Sequence, residues 1–485
     1  MILGIDQGTT GSRAFLFDER GKVVTSAYSE FEQFFPRPGW VEHDAAEIWE
    51  TVKKVCHEAL DDAGIDGSQL TAIGITNQRE TAVAWDRKSG EPLHRAIVWQ
   101  DRRTAGRCDR LKAEGVEAMF RERTGLVLDA YFSGTKYEWM LQEGGVPRDA
   151  ALGTIDSWLL FKLTGRHATD YSNASRTLLF NIRELAWDPE LCDTLGIPIG
   201  SLPEPVRNAE VLGETTEFGG SVPVAAMVGD QQGALYGQAC IDPGLGKNTY
   251  GTGNFLLQNA GGGPPVLEEG LITTIAWGIG DRVDYALESS MFVTGAGIQW
   301  LRDGLKIIDN ASDTEAMAAS LESNEGVYFV PALTGLGSPH WDPYARGTIV
   351  GLTRGSSREH IARAALEAIA YQSVDAVRAQ NAALGGRLKE LRADGGATAN
   401  AWLMQFQADL LGVPVVVPEI ADTTVLGAAY LAGVATGMWT EEDVKGLWCE
   451  SARYEPEMGD DQRQSLLADW RRALERAGHW VIPGG

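Results

Sequence analysis

A short apolar strand broken by a polar, glycine-bearing turn occurs near the start of each half of this chain, and it constrains the fold more than any other feature. Ile2-Leu3-Gly4-Ile5 has strand character, Asp6-Gln7-Gly8-Thr9-Thr10-Gly11-Ser12 turns, and Arg13-Ala14-Phe15-Leu16-Phe17 returns as strand. This predicts a β-hairpin whose loop is rich in hydrogen-bond donors. Lys247 to Gln258 repeats the form around Gly251-Thr252-Gly253. In both halves a helix and then a buried strand follow. Asp44 to Gly64 reads as a helix with Asp44 as its cap, Ile48, Val52 and Val55 as its apolar stripe and Gly64 as its stop, and Leu70 to Ile75 as the strand. Their counterparts are a helix from Arg358 to Leu384 and a strand from Leu388 to Ala393. The repetition predicts two related α/β domains, residues 1–238 and 239–485, divided near Gly237–Pro243 and facing each other across a ligand-binding cleft. A length of 485 residues agrees, because single cores rarely grow past ~250–300 residues.

Charge and composition remove several functions. The net charge of −25 argues against nucleic acid or an anionic membrane as partner, since both select a basic face. It also repels phosphorylated ligands at long range, so a nucleotide should arrive with a metal ion. No long uncharged apolar run predicts membrane insertion. The amino terminus reads as a first strand rather than a signal peptide. The five cysteines lie far apart without a CxxC pair, and the seven histidines lack HExxH or HxxxH spacing. Neither a zinc site nor a disulfide framework is expected, and a reducing cytoplasm fits.

The chemistry-bearing runs sit where strands end. In the first turn, glycines let successive N–H groups converge on phosphate oxygens, hydroxyls add donors, Arg13 adds charge and Asp6 can hold magnesium. The alternative is an ordinary hairpin turn, and the Walker A spacing is absent. Asn248 to Asn254 and Asp394 to Asn400 are two more such turns, the latter leading into a helix from Trp402 to Leu411 whose start favours an anion. Val224 to Val228 ends at Gly229-Asp230-Gln231-Gln232, where Asp230 is either a general base toward a hydroxyl or a helix N-cap. Arg79 and Glu80 follow Asn77 and Gln78 at another strand end, as ligands for substrate hydroxyls or as an exposed ion pair. Trp99 can cover the carbon face of a small polyol, although core is the better expectation for a lone tryptophan.

Taken in order, these runs resemble the FGGY family of carbohydrate kinases over essentially the whole chain. The matching stretches are Gly4 to Thr10, Asn77 to Thr81, Tyr131 to Lys136, Gly229 to Gln232, Asn248 to Gly253, Asp394 to Gly396 and Leu426 to Ala429. Within the family, Asn77-Gln78-Arg79-Glu80-Thr81 points to glycerol rather than a pentulose or gluconate. The resemblance implies two ribonuclease H-like domains of the actin-like ATPase fold, with the active site between them. It implies phosphorylation of glycerol by ATP to sn-glycerol 3-phosphate, with Mg2+ as cofactor; the alternatives are a kinase of the same family for another small polyol or ketose, or a catalytically silent nucleotide or sugar sensor. Asp230 would be the base, and Arg79, Glu80, Tyr131, Asp230 and Gln231 would hold the polyol hydroxyls. Trp99 and Phe255 would pack on its carbons. Thr9, Thr10, Ser12, Arg13 and Thr252 would meet the phosphates, Gly295, Gln299, Gly396 and Asn400 would line the ATP site, and Asp6 would serve the metal. A homo-oligomer, dimer or tetramer, is also implied. Two departures stand out. Ser338-Pro339-His340-Trp341 replaces the Ala-Pro-Tyr-Trp of many members. The stretch Glu217 to Pro223 carries neither the phosphorylatable histidine nor the basic fructose 1,6-bisphosphate loop found in some members, so neither control is expected.

Overall fold

The first hairpin forms as its pattern dictates. Strand Ile2–Gln7 pairs antiparallel with Gly11–Phe17, from Ile2 opposite Phe17 to Gln7 opposite Ser12, and the amide of Gly8 donates to the Gly11 carbonyl at 2.9 Å to close the turn. Helix Ala45–Ala63 follows, with the Asp44 carboxylate accepting from the amides of Ala46 and Glu47 and Gly64 ending it in the left-handed conformation (φ 67°). Ile48, Val52 and Val55 are buried, as the stripe predicts.

The computed structural model describes residues 1–263 and 266–482. A single sheet of 13 strands runs through both halves. In the amino-terminal half, Val23–Glu30, Gly11–Phe17 and Ile2–Gln7 are antiparallel neighbours, and Ala72–Asn77 and then Val222–Gly229 continue parallel to Ile2–Gln7. The carboxy-terminal half repeats this plan. Arg282–Met291, Asn254–Gly261 and Leu245–Tyr250 are antiparallel neighbours, and Glu390–Asp394 and Val415–Pro418 continue parallel to Leu245–Tyr250. One paired position, Ala209 beside Ile279, joins the half-sheets. This is the repeated ribonuclease H-like unit of the actin-like ATPase fold, so the sequence repeat is a structural repeat.

Register decides what the strand ends deliver. Gln7, Asn77 and Gly229 stand level across three parallel strands. Asp6, the Asn77–Glu80 run and Asp230 therefore emerge along one edge, the carboxyl edge where ligands bind in parallel sheets. Thr249 and Asp394 stand level in the other half.

The halves also exchange a helix contact. Helix Thr423–Ala435 comes late in the chain yet packs on the strands Ile2–Gln7 and Ala72–Asn77 of the first half and against helix Asp230–Gly237. Glycine permits the approach: a Cβ on Gly427 would lie 1.9 Å from the Gly233 carbonyl oxygen, and one on Gly237 would lie 2.0 Å from that of Thr423. One apolar cluster accordingly mixes Ile2, Phe17 and Leu235 with Leu257, Val425 and Leu431.

Candidate active site

The first turn places Asp6 at the floor of the cleft, opposite Arg13 across the hairpin. Burial pushes the Asp6 carboxyl up to about 7; Arg13 opposes the rise, and Asp230 and Asp422 add to it. Asp6, Arg13, Thr249, Asp394, Gly396 and Asp422 line a cavity of about 510 Å³ drawn from both halves. Arg13 reaches across it to Asp422, with Nη1 3.2 Å from Oδ1.

Arg79 and Glu80 are not an exposed ion pair: they are 2% and 1% exposed. Burying unpaired charge is costly, so partners are required. Arg79 Nη1 donates to Glu288 Oε2 at 2.6 Å and Nη2 to Oε1 at 3.2 Å, a two-pronged pairing. Arg176 Nη2 donates to Glu288 Oε1 at 3.0 Å and its Nε to Glu80 Oε1 at 2.6 Å. Burial alone would raise the Glu288 carboxyl, but Arg176 and Arg79 outweigh it and hold the group at about 2. Glu80 itself sits at φ 59°, a left-handed conformation uncommon for a residue with a side chain. Ser133 Oγ, at 3.1 Å, and Lys136 Nζ, at 3.2 Å, both donate to its carbonyl oxygen and hold it there.

Asp230 is the first residue of helix Asp230–Gly237, whose N-cap is Gly229, so the capping alternative is not realised. Its Oδ1 accepts from the amide of Gln231 at 2.7 Å and lies 3.0 Å from Arg79 Nε. The Arg79 Nε–H is nevertheless buried without a well-directed acceptor. A charged donor left open beside a carboxylate is a place for a hydroxyl that accepts from one and donates to the other. Trp99 is half-buried rather than core, its indole N–H donating to Thr9 Oγ1 at 2.9 Å and its ring meeting Tyr131 edge-on at 5.6 Å. Burial pushes the Tyr131 phenol up, so it stays protonated. Gln231 accepts from Lys247 Nζ, which also donates to Thr249 Oγ1 at 2.8 Å. Phe255 stands opposite Thr249 on the neighbouring strand, half-buried.

The second half supplies a slot of about 620 Å³. Thr252, Gly295, Gln299, Gly396 and Asn400 line it, all of them singled out from the sequence, and Ile298, Leu366, Ile369 and Leu403 give it apolar walls. Gly396 and Ala399 border both cavities, so the slot opens onto the Asp6 chamber. Asn400 caps helix Ala401–Leu411, its Oδ1 accepting from the Leu403 amide at 2.9 Å.

Among the expected phosphate contacts, Thr10, Arg13 and Thr252 are exposed and Thr9 half-buried. Ser12 differs: it is fully buried with its Oγ 3.0 Å from Thr51 Oγ1, on the opposite face of the strand from Arg13. Its hydroxyl is therefore turned from the cleft. Sequence reasoning missed Arg176, Lys247, Glu288 and Asp422, which carry no local signal. Asp394, noted only as part of a turn, is held by Gln238 Nε2 at 2.8 Å and Thr423 Oγ1 at 2.7 Å.

Among the described residues, no cluster of His, Cys, Asp or Glu is built to hold a metal alone. Magnesium does not ask for one: it keeps several waters and takes one or two carboxylates plus phosphate oxygens. Asp6, half-buried in the cavity wall, its carboxyl raised chiefly by desolvation despite Arg13 and further by Asp230 and Asp422, fits such an ion.

A repeated ribonuclease H-like unit enclosing a two-chamber cleft, with carboxylates at its floor, defines a two-domain sugar-kinase-type ATPase fold. The FGGY family of carbohydrate kinases matches through its N-terminal domain at residues 1–237 and its C-terminal domain at residues 246–436. The chain belongs to that family. It is 53% identical to glycerol kinase 2 of Thermotoga maritima over 99% of each chain. It is 55% identical to the glycerol kinase of Dechloromonas aromatica, over 99% of this chain and 98% of that one. The crystal structure of Plasmodium falciparum glycerol kinase with ADP superposes with a TM-score of 0.92 at 36% identity, over 98% of both chains.

Proposed function

We infer that this chain phosphorylates glycerol with ATP, giving sn-glycerol 3-phosphate and ADP. The observation that carries this reading is the open Arg79 Nε–H beside Asp230 at the floor of a cleft whose far chamber has apolar walls. The full-length similarity to glycerol kinases supports it.

Phosphoryl transfer needs alignment, charge neutralisation and a base rather than a covalent residue. Asp230 accepts the proton of a terminal hydroxyl as that oxygen attacks the γ-phosphorus. Arg79, Glu80, Tyr131 and Gln231 hold the hydroxyls, and Trp99 and Phe255 cover the carbons. Thr9, Thr10, Arg13 and Thr252 receive the phosphates, and Ser12, fully buried between its two partner strands, takes no part. Gly295, Gln299, Gly396 and Asn400 take the nucleoside. Asp6 would hold magnesium, which would supply positive charge to the phosphate oxygens. The protein works in the cytoplasm, a setting that five free cysteines fit, as a dimer or tetramer. Release of ADP, screened over glycerol, erythritol, xylulose, ribulose and gluconate, tests the assignment. Glycerol should give the highest kcat/KM, and a higher value for any other would replace it.

A further inference from the structure

Besides its chain neighbour Glu80, Arg79 faces two carboxylates from different halves. Asp230 belongs to the first half, and Glu288 comes from strand Arg282–Met291 of the second. Glu288 is fully buried, and both of its oxygens are taken by Arg79 and Arg176. Two arginines and two glutamates therefore balance without Asp230. That balance matters in a low-dielectric interior, where an uncompensated cation draws the nearest anion to itself. Geometry adds a second constraint. With both Nη atoms committed to Glu288, and Nη1 also donating to Gln232 Oε1 at 3.2 Å, the Nε edge of Arg79 is left for the cleft, and its N–H is the open donor there.

We propose that Glu288 is a positioning residue, which fixes the Arg79 fork from across the domain boundary and so keeps the Asp230 carboxylate free to act as base. Arg176 is the second clamp: it holds Glu288 and Glu80 at once and presents neither to solvent. The inference rests on Asp230 being the base. Without Glu288, Arg79 turns its Nη edge onto Asp230, which becomes the compensating anion and a poorer proton acceptor. With Lys247 included, the cluster of Arg79, Arg176, Lys247, Glu80, Glu288 and Asp230 is neutral as it stands. Replacing Glu288 by Gln brings it to +1, and replacing Arg176 by Gln as well returns it to zero.

The test compares Glu288→Gln, Glu288→Asp and the double variant Arg176→Gln/Glu288→Gln by steady-state kinetics, with folded fraction measured by glycerol-binding calorimetry. Glu288→Gln should lower kcat ~10–10²-fold, the scale of losing general-base efficiency. Glycerol KM should rise and ATP KM should stay within about twofold, because the nucleotide slot is separate. The double variant should recover at least about tenfold of the lost kcat, although it removes one more buried contact. Glu288→Asp keeps the charge but withdraws it by a methylene, and should still cost ~10-fold or more, since misplacement by about 1 Å at a reacting centre can cost 10². A purely structural Glu288 predicts the reverse: normal kcat per folded site in the single variants and a double variant no better than Glu288→Gln. Either of those results overturns the proposal. If Glu288→Gln does not fold, undiminished kcat in Glu288→Asp overturns it. Full activity in Asp230→Asn would remove the base assignment itself. An inactive Asp230→Asn with an unimpaired Glu288→Gln would remove only the role of Glu288.

Discussion

Deleting one hydroxyl from the substrate probes the polyol site without disturbing the protein. Propane-1,2-diol keeps two hydroxyls and loses the third. Arg79 and Glu80, both almost wholly buried, are among the groups proposed to hold the hydroxyls, so a triol stripped of one leaves charge there without its partner. A hydrogen bond to a charged group contributes about 1.5–3 kcal/mol, and a buried charge left without its partner bears the desolvation cost. Two such bonds amount to ~3–6 kcal/mol, or ~10²–10⁴ in kcat/KM at about 1.4 kcal/mol per decade. The upper end approaches the ~10⁴–10⁵ reached by sites built to bond a hydroxyl. Water can enter the vacated space and repair part of the loss, which pulls the expectation toward 10². The assay is coupled ADP release with each diol or triol at saturating MgATP. Comparable kcat/KM for the two substrates would mean that Arg79 and Glu80 do not hold a hydroxyl, and the pocket would have to be rebuilt around other residues.

Other consequences follow from the same geometry. Lys136→Met removes the buried ammonium that, with Ser133, pins the strained Glu80 backbone; glycerol KM should rise about tenfold, the worth of one such hydrogen bond, with ATP KM unchanged. The Asp6 carboxyl, raised to about 7, is protonated below that pH and cannot then take a cation. Apparent magnesium affinity, read from activity titrations between pH 5.5 and 8.5, should therefore tighten by up to about tenfold per unit as pH rises to about 7 and then level off; a flat profile would detach Asp6 from the metal. The turn after strand Ala209–Thr215 contains no lysine or arginine and packs its Phe218 carbonyl onto the Gly67 amide at 2.8 Å. Fructose 1,6-bisphosphate should accordingly leave activity at fixed glycerol and MgATP unchanged, and saturable inhibition abolished by substitutions in this turn would show that the turn binds it.

What was legible in the sequence was local. Glycine turns, the Asp44 cap and the Gly64 stop act within a few residues, so the hairpins and helix ends came out where the pattern put them. Helix Arg358–Leu384 matched its expected ends. What escaped depends on partners chosen by the tertiary fold. Arg176 and Glu288 are 112 residues apart, and Arg13 and Asp422 are 409 apart. Nothing near Arg176 distinguishes it from an exposed arginine until the sheet of one half meets that of the other. Leu426 to Ala429 stood out only as a stretch shared with the family, and the crossing of helix Thr423–Ala435 into the first half depends on the fit of Gly427 against Gly233. Ser12 could have been placed correctly, because alternation along a strand turns Ser12 and Arg13 to opposite faces. Trp99 defeated the core expectation because Thr9, which accepts its N–H, lies on the rim of the cleft.

Asp230 carries the central claim, and Asp230→Asn tests it most directly. The asparagine keeps the shape and can still accept from the Gln231 amide, but it cannot take a proton from the attacking hydroxyl. Calorimetry should show glycerol and MgATP bound with affinities within a few-fold of the parent, while kcat falls ~10²–10⁴-fold, the span of losing a general base. Near-normal turnover by a variant shown to bind both ligands would contradict the account at its root.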